Sequence, residues 1–278
     1  MKARTLLAAL HTKFPEYTRD EPFAFVACGD VTVDGECIRD TTRAVATDAN
    51  VRIQERRGFV SRGGEKLDHA LRRWKLPVAG KVMIDAGAST GGFTDCLLRH
   101  GAGAVHAVDV GYNQLDYRLR TDARVRSHER ANIMSMDRSD FDPPADAAVA
   151  DLSFRSLSLA ARHIVGLTAE GWLVALAKPQ FEMRRPEAGF DGVIRDPAVV
   201  ESVLVALLEE LSGEGLSVRG VTASPIRGRK GNREFLLWLA RAGHDSVVDP
   251  TQAADGNLRQ LARLAVQENE SGPIGFPM

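Results

Sequence analysis

The sequence predicts an α/β protein, a doubly wound and mostly parallel sheet carrying one antiparallel strand, preceded by a small α+β unit. Three observations predict it. From Lys81 to Tyr112 the chain reads strand, glycine-rich turn, helix, second strand and acid. From there to about residue 240, apolar runs alternate with helical patterns, as in a sheet covered on both faces with its ligand at the strands' carboxyl ends. Before residue 58, Asp34-Gly35 sits between alternating strand residues, a hairpin signal in a shorter module.

Residues 1–57 form that module. It has a helical pattern at Leu6, Leu7 and Leu10, an apolar segment from Phe23 to Cys28, the hairpin of Val31 to Ile38, and a further strand over Val45 to Ile53. Its nine Lys/Arg balance nine Asp/Glu, so charge alone does not announce a polyanion partner. Arg56 to Gly64 is basic and glycine-rich and reads as a linker. The next helix spans Glu65 to Leu76, with Leu67, Ala70, Leu71 and Trp74 on one face. Lys66, in its first turn, reads by position as a solvated charge.

The glycine turn decides the class of nucleotide. Val82 to Asp85 is a short strand, and Gly87-Ala88-Ser89-Thr90-Gly91-Gly92 follows before a helix. This lacks the G-x-G-x-x-G rhythm that seats a pyrophosphate and the G-K-[ST] of a P-loop. Asp85 at the strand end suits a cationic or hydroxyl-bearing ligand, and Asp109 closes the second strand where a carboxylate meets a ribose. The pattern favours S-adenosylmethionine over NAD, with a plain tight βα turn as the alternative. Beyond it the sequence predicts a helix over Gln114–Arg120, strands at Val125–His128 and Ala147–Asp151, and a helix over Leu157–Leu167. The buried strand Trp172–Ala177, a helix over Val199–Leu211 entered through Asp196-Pro197, and strands Leu216–Ala223 and Glu234–Leu239 complete the sheet domain, 58–245. Residues 246–278 read as a polar tail with one helix around Asn257–Gln267.

Bulk properties narrow the function. The 278 residues are 44% hydrophobic and carry a net charge of −1, enough for a sizeable core and short of a globally basic binder. Three cysteines, Cys28, Cys37 and Cys96, lack metal spacing and suit a reducing compartment. The N-terminus makes a poor signal peptide, and no run approaches the roughly 18 apolar residues of a membrane span. The expectation is a soluble cytoplasmic protein with no metal.

Three more strand termini carry charge: Asp151, Lys178 and Glu234. Singly they suit a helix cap, a snorkelling lysine and a surface ion pair. Together they point at one cleft, because an antiparallel strand starting at Glu234 begins on the edge where the parallel strands end.

Seven ordered motifs then resemble a known family. They are Val60-Ser-Arg-Gly-Gly-Glu-Lys-Leu67, Asp85 to Leu97, Ala107-Val-Asp-Val-Gly-Tyr112, Asp151-Leu-Ser-Phe154, Lys178-Pro-Gln-Phe-Glu182, Val193-Ile-Arg-Asp-Pro197 and Gly231-Asn-Arg-Glu-Phe235. Over residues 58–240 they look like the TlyA/hemolysin A branch of the FtsJ-type RNA methyltransferases. The resemblance implies an S4 RNA-binding domain joined to a Rossmann-like methyltransferase that uses S-adenosylmethionine to methylate a ribose 2′-hydroxyl, of cytidine in ribosomal RNA. It maps a Lys-Asp-Lys-Glu tetrad onto Lys66, Asp151, Lys178 and Glu234, which reverses the surface reading of Lys66. It places Gly87, Ser89, Gly91, Gly92 and Phe93 at the methionine end of the cofactor, Asp109 on the ribose and Asn132 near adenine. The N-terminal helix, Lys2-Ala3-Arg4-Thr5-Leu6, is a poor copy of the S4 pattern; the Gly29–Gly35 hairpin matches it.

For RNA, Arg227, Arg229, Lys230 and Arg233 form a basic stretch beside the catalytic edge, with Arg56, Arg57 and Arg62 as a second patch; a solvated loop is the alternative. The implied partner is ribosomal RNA or a ribosomal subunit, without membrane or metal. The implied reaction is in-line displacement at a sulfonium methyl. An amine can take the hydroxyl proton only when its ordinary pKa, near ~10.4, is lowered by burial and a like charge. Lys178 is the expected base, Asp151 and Lys66 its electrostatic and orienting partners, and Glu234 the group that fixes Lys66. Two other classes remain open, an inactive methyltransferase-fold RNA binder and a cytolysin; the lack of a spanning or basic amphipathic helix argues against the second.

Overall fold

The computed structural model describes residues 3–17, 21–54, 58–153, 156–183, 189–243 and 257–270. The N-terminal unit runs β1 (Ala3–Thr5), α1 (Leu6–Lys13), α2 (Glu21–Cys28), β2 (Val31–Val33), β3 (Glu36–Cys37), β4 (Ala44–Ala46) and β5 (Val51–Ile53). The hairpin lies where Asp34-Gly35 puts it: Val33 pairs with Glu36, and both turn residues have positive φ, 52° and 88°, as a two-residue turn requires. Val45–Ile53 is not one strand. β4 pairs with β1 and β5 with β2, in separate sheets, because a turn closed by Ala49 N–H on the Ala46 carbonyl separates them. Phe23–Cys28 is helical, and its Val26 packs with Leu6, Leu10 and Val31 in a small core.

The larger unit continues with α3 (Gly63–Trp74), β6 (Val82–Ala86), α4 (Gly92–Arg99), β7 (Ala104–Asp109), α5 (Tyr117–Thr121), β8 (Val125–Glu129), β9 (Ala147–Ala150) and α6 (Leu157–Leu167). It ends with β10 (Trp172–Ala177), α7 (Pro179–Glu182), α8 (Pro197–Gly213), β11 (Leu216–Ala223), β12 (Phe235–Arg241) and α9 (Leu258–Glu270). Its seven strands are ordered β11-β12-β10-β9-β6-β7-β8. β10, β9, β6, β7 and β8 are mutually parallel, and β12 runs antiparallel to both β10 and β11. The anticipated α/β class with one reversed strand is what the chain adopts.

Strand alternation splits the core. Ile84, Ala148, Ala175 and Leu237 face α6, α8 and α9, whereas Met83, Val149, Val174 and Trp238 face α3 and α4. Buried on both faces, these strands need near-continuous apolar sequence, and β9 and β10 have it. α9 is packed through Ala262, Ala265 and Val266, and its Glu268 meets Arg73 of α3 at 2.6 Å. α5 starts later than the predicted Gln114, because Asp116 caps it by accepting from the Arg118 N–H. The N-terminal unit rests on this helix. Cys28 Sγ donates to Asp116 Oδ1 at 3.2 Å, Asp30 lies 3.4 Å from Arg118, and the Phe23 and Tyr117 ring centroids are 5.3 Å apart.

Candidate active site

Topology delivers the polar residues to one edge. The strand order reverses between β6 and β9, and the carboxyl ends on either side of that point open a ligand crevice in a sheet of this kind. Ala177 is paired with Phe235, so Lys178, leaving β10, stands beside Glu234, entering β12. Ala86 is paired with Ala150, so Gly87 and Asp151 leave adjacent strands together. The first turn of α3 covers the same edge, because Leu67, Ala70 and Leu71 bury their face against the sheet. Lys66 is thereby buried, and its positional reading as a solvated charge is wrong for that reason.

The result is a cleft of about 480 Å³ that contains all four tetrad residues. They form two ion pairs. Lys66 Nζ lies 2.5 Å from Glu234 Oε2, with these residues only 9% and 4% exposed. Lys178 Nζ lies 2.6 Å from Asp151 Oδ1 and also donates to the Leu152 carbonyl at 3.1 Å and to Ser153 Oγ at 3.2 Å. Two N–H bonds of Lys178 thus have hydrogen-bond acceptors, and the Asp151 carboxylate is its ion-pair partner. Each carboxylate serves one amine. Gly228 presses on the Glu234 carboxylate so closely that a Cβ there would lie 2.0 Å from Oε1.

The glycine loop forms the opposite wall. Gly87, Ser89, Gly92 and Phe93 line the cleft. Gly87 has φ of +83°, and a Cβ on it would come within 2.6 Å of the Asp151 carbonyl oxygen, so only glycine lets the loop and the β9 exit approach. A Cβ on Gly92 would meet Ser61 Oγ at 2.2 Å. Gly91 is not a lining residue. Its left-handed backbone starts α4 and accommodates Leu115 and Leu119. Asp109 sits in an adjoining recess that shares Ser89 with the cleft. Its Oδ2 accepts from the Ser89 N–H at 2.8 Å and its Oδ1 from the Gly111 N–H at 2.7 Å. A carboxylate has further lone pairs, so ribose hydroxyls can still be accepted there. The recess itself holds only about 10 Å³, but the donor and acceptor set, backbone closing in at Gly87 and a carboxylate at Asp109, suits the aminoacyl end and ribose of S-adenosylmethionine.

Asp85 takes a different place from the one expected. It is wholly buried beneath the loop, out of the cleft lining, and accepts from Thr94 Oγ1 at 2.6 Å. Burial pushes its carboxyl up to about 7 against the opposing Thr94 hydrogen bond, so it supports the loop from below. Asn132 is exposed and caps a single 3₁₀ turn by accepting from the Met134 N–H at 3.1 Å. The adjacent Ala131 N–H bonds the Asp109 carbonyl, so Asn132 stands at the recess end without lining it.

Of the basic residues, Arg62 and Lys230 line the cleft mouth and are exposed. Arg227 is exposed and donates to the Gly231 carbonyl, and Arg233 is half-buried. Arg56 and Arg57 lie outside the described residues, as does the side chain of Arg229. Sequence reasoning missed Ser61, Ser153, Gln180 and Asn232, all in the cleft. Asn232 ties two motifs together, donating to the Gly192 carbonyl at 2.8 Å and accepting from the Ile194 N–H at 3.2 Å. Its signal was present, since Asn232 and Ile194 fall in motifs quoted above, but their contact is not visible in one dimension.

Glu182 fastens the Lys178 segment. Its Oε1 accepts from the Leu157 N–H at 2.8 Å and its Oε2 from Ser156 Oγ at 2.5 Å, and burial raises its carboxyl above the ordinary range. Lys178 thus holds Asp151 to Ser153, and Glu182 holds Ser156 and Leu157. Among the described residues no helix is long and apolar enough to cross a membrane.

Comparison with known proteins agrees with this geometry. Residues 59–241 match the FtsJ-like methyltransferase family. YqxC of Bacillus subtilis, named an rRNA methyltransferase, is 46% identical over 183 residues, 65% of each chain. The 16S/23S rRNA (cytidine-2′-O)-methyltransferase TlyA of Mycobacterium tuberculosis is 39% identical over 80% of this chain and 84% of its own. A solved structure from Streptococcus thermophilus, carrying a hemolysin name, is 34% identical, covers 98% of both chains and superposes with a TM-score of 0.68.

Proposed function

The chain belongs to the FtsJ-like methyltransferase family, and from that premise we propose that it transfers a methyl group from S-adenosylmethionine to a ribose 2′-hydroxyl of ribosomal RNA, at cytidine. The observation that carries the reading is the pair of buried Lys–carboxylate contacts facing the glycine loop across one cleft. A plain nucleotide-binding fold has no use for two amines buried there, and their desolvation is costly unless each is paired.

When bound, the cofactor would supply a methyl group on a positively charged sulfur, open to in-line attack by a 2′-oxygen with the neutral thioether as leaving group. The chain's residues do the rest. Lys178, as the free amine, takes the hydroxyl proton on its Nζ lone pair, its N–H bonds to the Leu152 carbonyl and Ser153 Oγ fixing the direction of that lone pair. Asp151 holds that amine and offsets the charge it gains. Lys66, tethered by Glu234, presents a second positive group that favours oxyanion character on the ribose oxygen. Gly87 and Gly92 let the backbone close on the donor, and Asp109 orients its ribose. Most of the acceleration is positioning.

The N-terminal unit, residues 1–57, acts as an S4-like RNA-binding domain ahead of the methyltransferase domain, 58–245, and the tail, 246–278. Arg62 and Lys230 at the cleft mouth, with Arg227 nearby, engage phosphates. Such an activity belongs with ribosomes in the cytoplasm. The decisive experiment is tritium transfer from S-adenosylmethionine to purified ribosomal subunits, with cofactor affinity measured in parallel. Wild type should transfer, and Lys178→Ala should bind the cofactor yet lose transfer. Binding without transfer by wild type would favour an inactive module, and wild-type rates in Lys178→Ala would remove the base assignment.

A further inference from the structure

Glu182 does not line the cleft, so whatever it does for the reaction it does through other residues. Pro179 starts α7 directly after Lys178, and the Phe181 N–H bonds the Lys178 carbonyl at 2.8 Å, so the base and Glu182 stand at the two ends of one short helix. Opposite this helix runs the connection from β9 to α6. Its first residues serve Lys178: Asp151 as ion-pair partner at 2.6 Å, and the Leu152 carbonyl and Ser153 Oγ as acceptors at 3.1 and 3.2 Å. Its last residue, Ser156, and the first of α6, Leu157, serve Glu182, which accepts from Ser156 Oγ at 2.5 Å and from the Leu157 N–H at 2.8 Å. One turn of helix therefore meets both ends of the connection.

The two Glu182 bonds stand in for a cap that α6 does not make itself. Ser156 occupies the N-cap position without a side-chain bond to its own helix, and the first helical N–H, that of Leu157, has no partner inside the helix. The carboxylate reaches across from α7, satisfies that N–H and takes the Ser156 hydroxyl, at a helix end that favours negative charge. The need for such a second anchor follows from the chemistry at Lys178. To take a proton the amine must be neutral, and a neutral amine loses the ionic part of its attraction to Asp151. At that moment the connection would be held to α7 only by the two N–H bonds that are meant to orient the amine. Both donors to Glu182 are neutral, so its grip on Ser156 and Leu157 does not depend on the protonation state of Lys178.

Resting on the proposed 2′-O-methyl transfer, we infer that Glu182 is a positioning residue for that reaction: it keeps the Leu152 carbonyl and Ser153 Oγ in register with Lys178, so that the lone pair of the free amine stays aimed at the 2′-hydroxyl. The test measures methyl transfer to ribosomal subunits with kcat and KM separated, and cofactor affinity by calorimetry. Glu182→Ala should lower kcat by about 10- to 100-fold, the scale of a misplaced catalytic group, while KM for the subunit and cofactor affinity stay unchanged. Glu182→Gln should restore most of kcat, because its amide oxygen can accept from the Leu157 N–H while its NH2 donates to the rotatable Ser156 hydroxyl. Ser156→Ala removes one of the two contacts from the opposite side and should lower kcat severalfold; it decides the matter if Glu182→Ala does not fold. Asp137→Ala is the control for stability alone, since it removes the cap that accepts from the Ser139 N–H at 2.7 Å, and its kcat should equal that of wild type. Wild-type kcat in Glu182→Ala, or in Ser156→Ala where the first does not fold, overturns the assignment. So does a loss carried by KM or cofactor affinity, a Glu182→Gln as impaired as Glu182→Ala, or an equal loss of kcat in Asp137→Ala. Wild type that transfers no methyl group would overturn the proposed function itself, a distinct result.

Discussion

Glu234→Ala strips the partner from an ammonium that is only 9% exposed, and the consequence can be worked out from the geometry. The Lys66–Glu234 contact is 2.5 Å long and both residues are enclosed by α3, β12 and the Gly228 turn. Leaving one buried charge of such a pair uncompensated costs about 3–5 kcal/mol. For a domain of this size each kcal/mol is worth roughly 2–4 °C, so the melting temperature should fall by about 10 °C. Replacing both partners, Lys66→Met with Glu234→Leu, removes the stranded charge and should bring the melting temperature back to within a few degrees of wild type. Activity should not return: methyl transfer should stay at least about 100-fold down in the double variant, the scale of losing one electrostatic stabiliser. Calorimetric melting and tritium transfer on the same preparations check both. A double variant that recovers transfer along with stability would refute a catalytic role for the pair and leave it a folding feature.

Other consequences can be measured separately. Asp85 is raised to about 7 by burial, so its folded state holds a proton that the unfolded chain gives up near its ordinary 3.8. The stabilisation is fully present below that lower value and is lost as pH rises to about 7, by up to about 4 kcal/mol. Asp85→Asn should flatten the melting temperature between pH 5 and 8 and exceed wild type at pH 8; parallel profiles would contradict the assigned burial effect. Gly87→Ala puts a Cβ 2.6 Å from the Asp151 carbonyl at a φ of +83°, so it should weaken cofactor binding and transfer together, as calorimetry and kinetics would report. Lys230→Gln and Arg62→Gln should each weaken RNA binding irrespective of sequence and lower the slope of log K against log salt by about 1, measured by filter binding across a salt series.

How far the chain could be read in one dimension depended on how local each cause was. β6, the glycine turn, α4 and β7 were legible because strand periodicity and glycine placement act over a few residues. The same holds for the Asp34-Gly35 hairpin and for α8, whose Asp196 side chain accepts from the Ala198 N–H at 2.8 Å as the Asp-Pro entry suggests. Lys66 was illegible from position because its partner is 168 residues away, and only the packing of α3 brings them together. Asp85 read correctly as a strand-end acid, but the register that turns it downwards on to Thr94 was not visible. Val45–Ile53 misled because β-type residues carry no mark of which sheet they join. Gln180 lay in a quoted motif, but the enclosure of its Oε1 was illegible because it is set by what surrounds it.

The central claim is that the two Lys–carboxylate pairs deliver a methyl group to a ribose oxygen. Its most direct measurement is the chemical position of the transferred methyl, read by incubating ribosomal subunits with the protein and S-adenosylmethionine and mapping linkages that resist alkaline hydrolysis. New resistant linkages are expected on the 3′ side of cytidine, present with wild type and absent with Lys178→Ala. Methyl groups found on base atoms, or the same ribose linkages formed by Lys178→Ala, would contradict it.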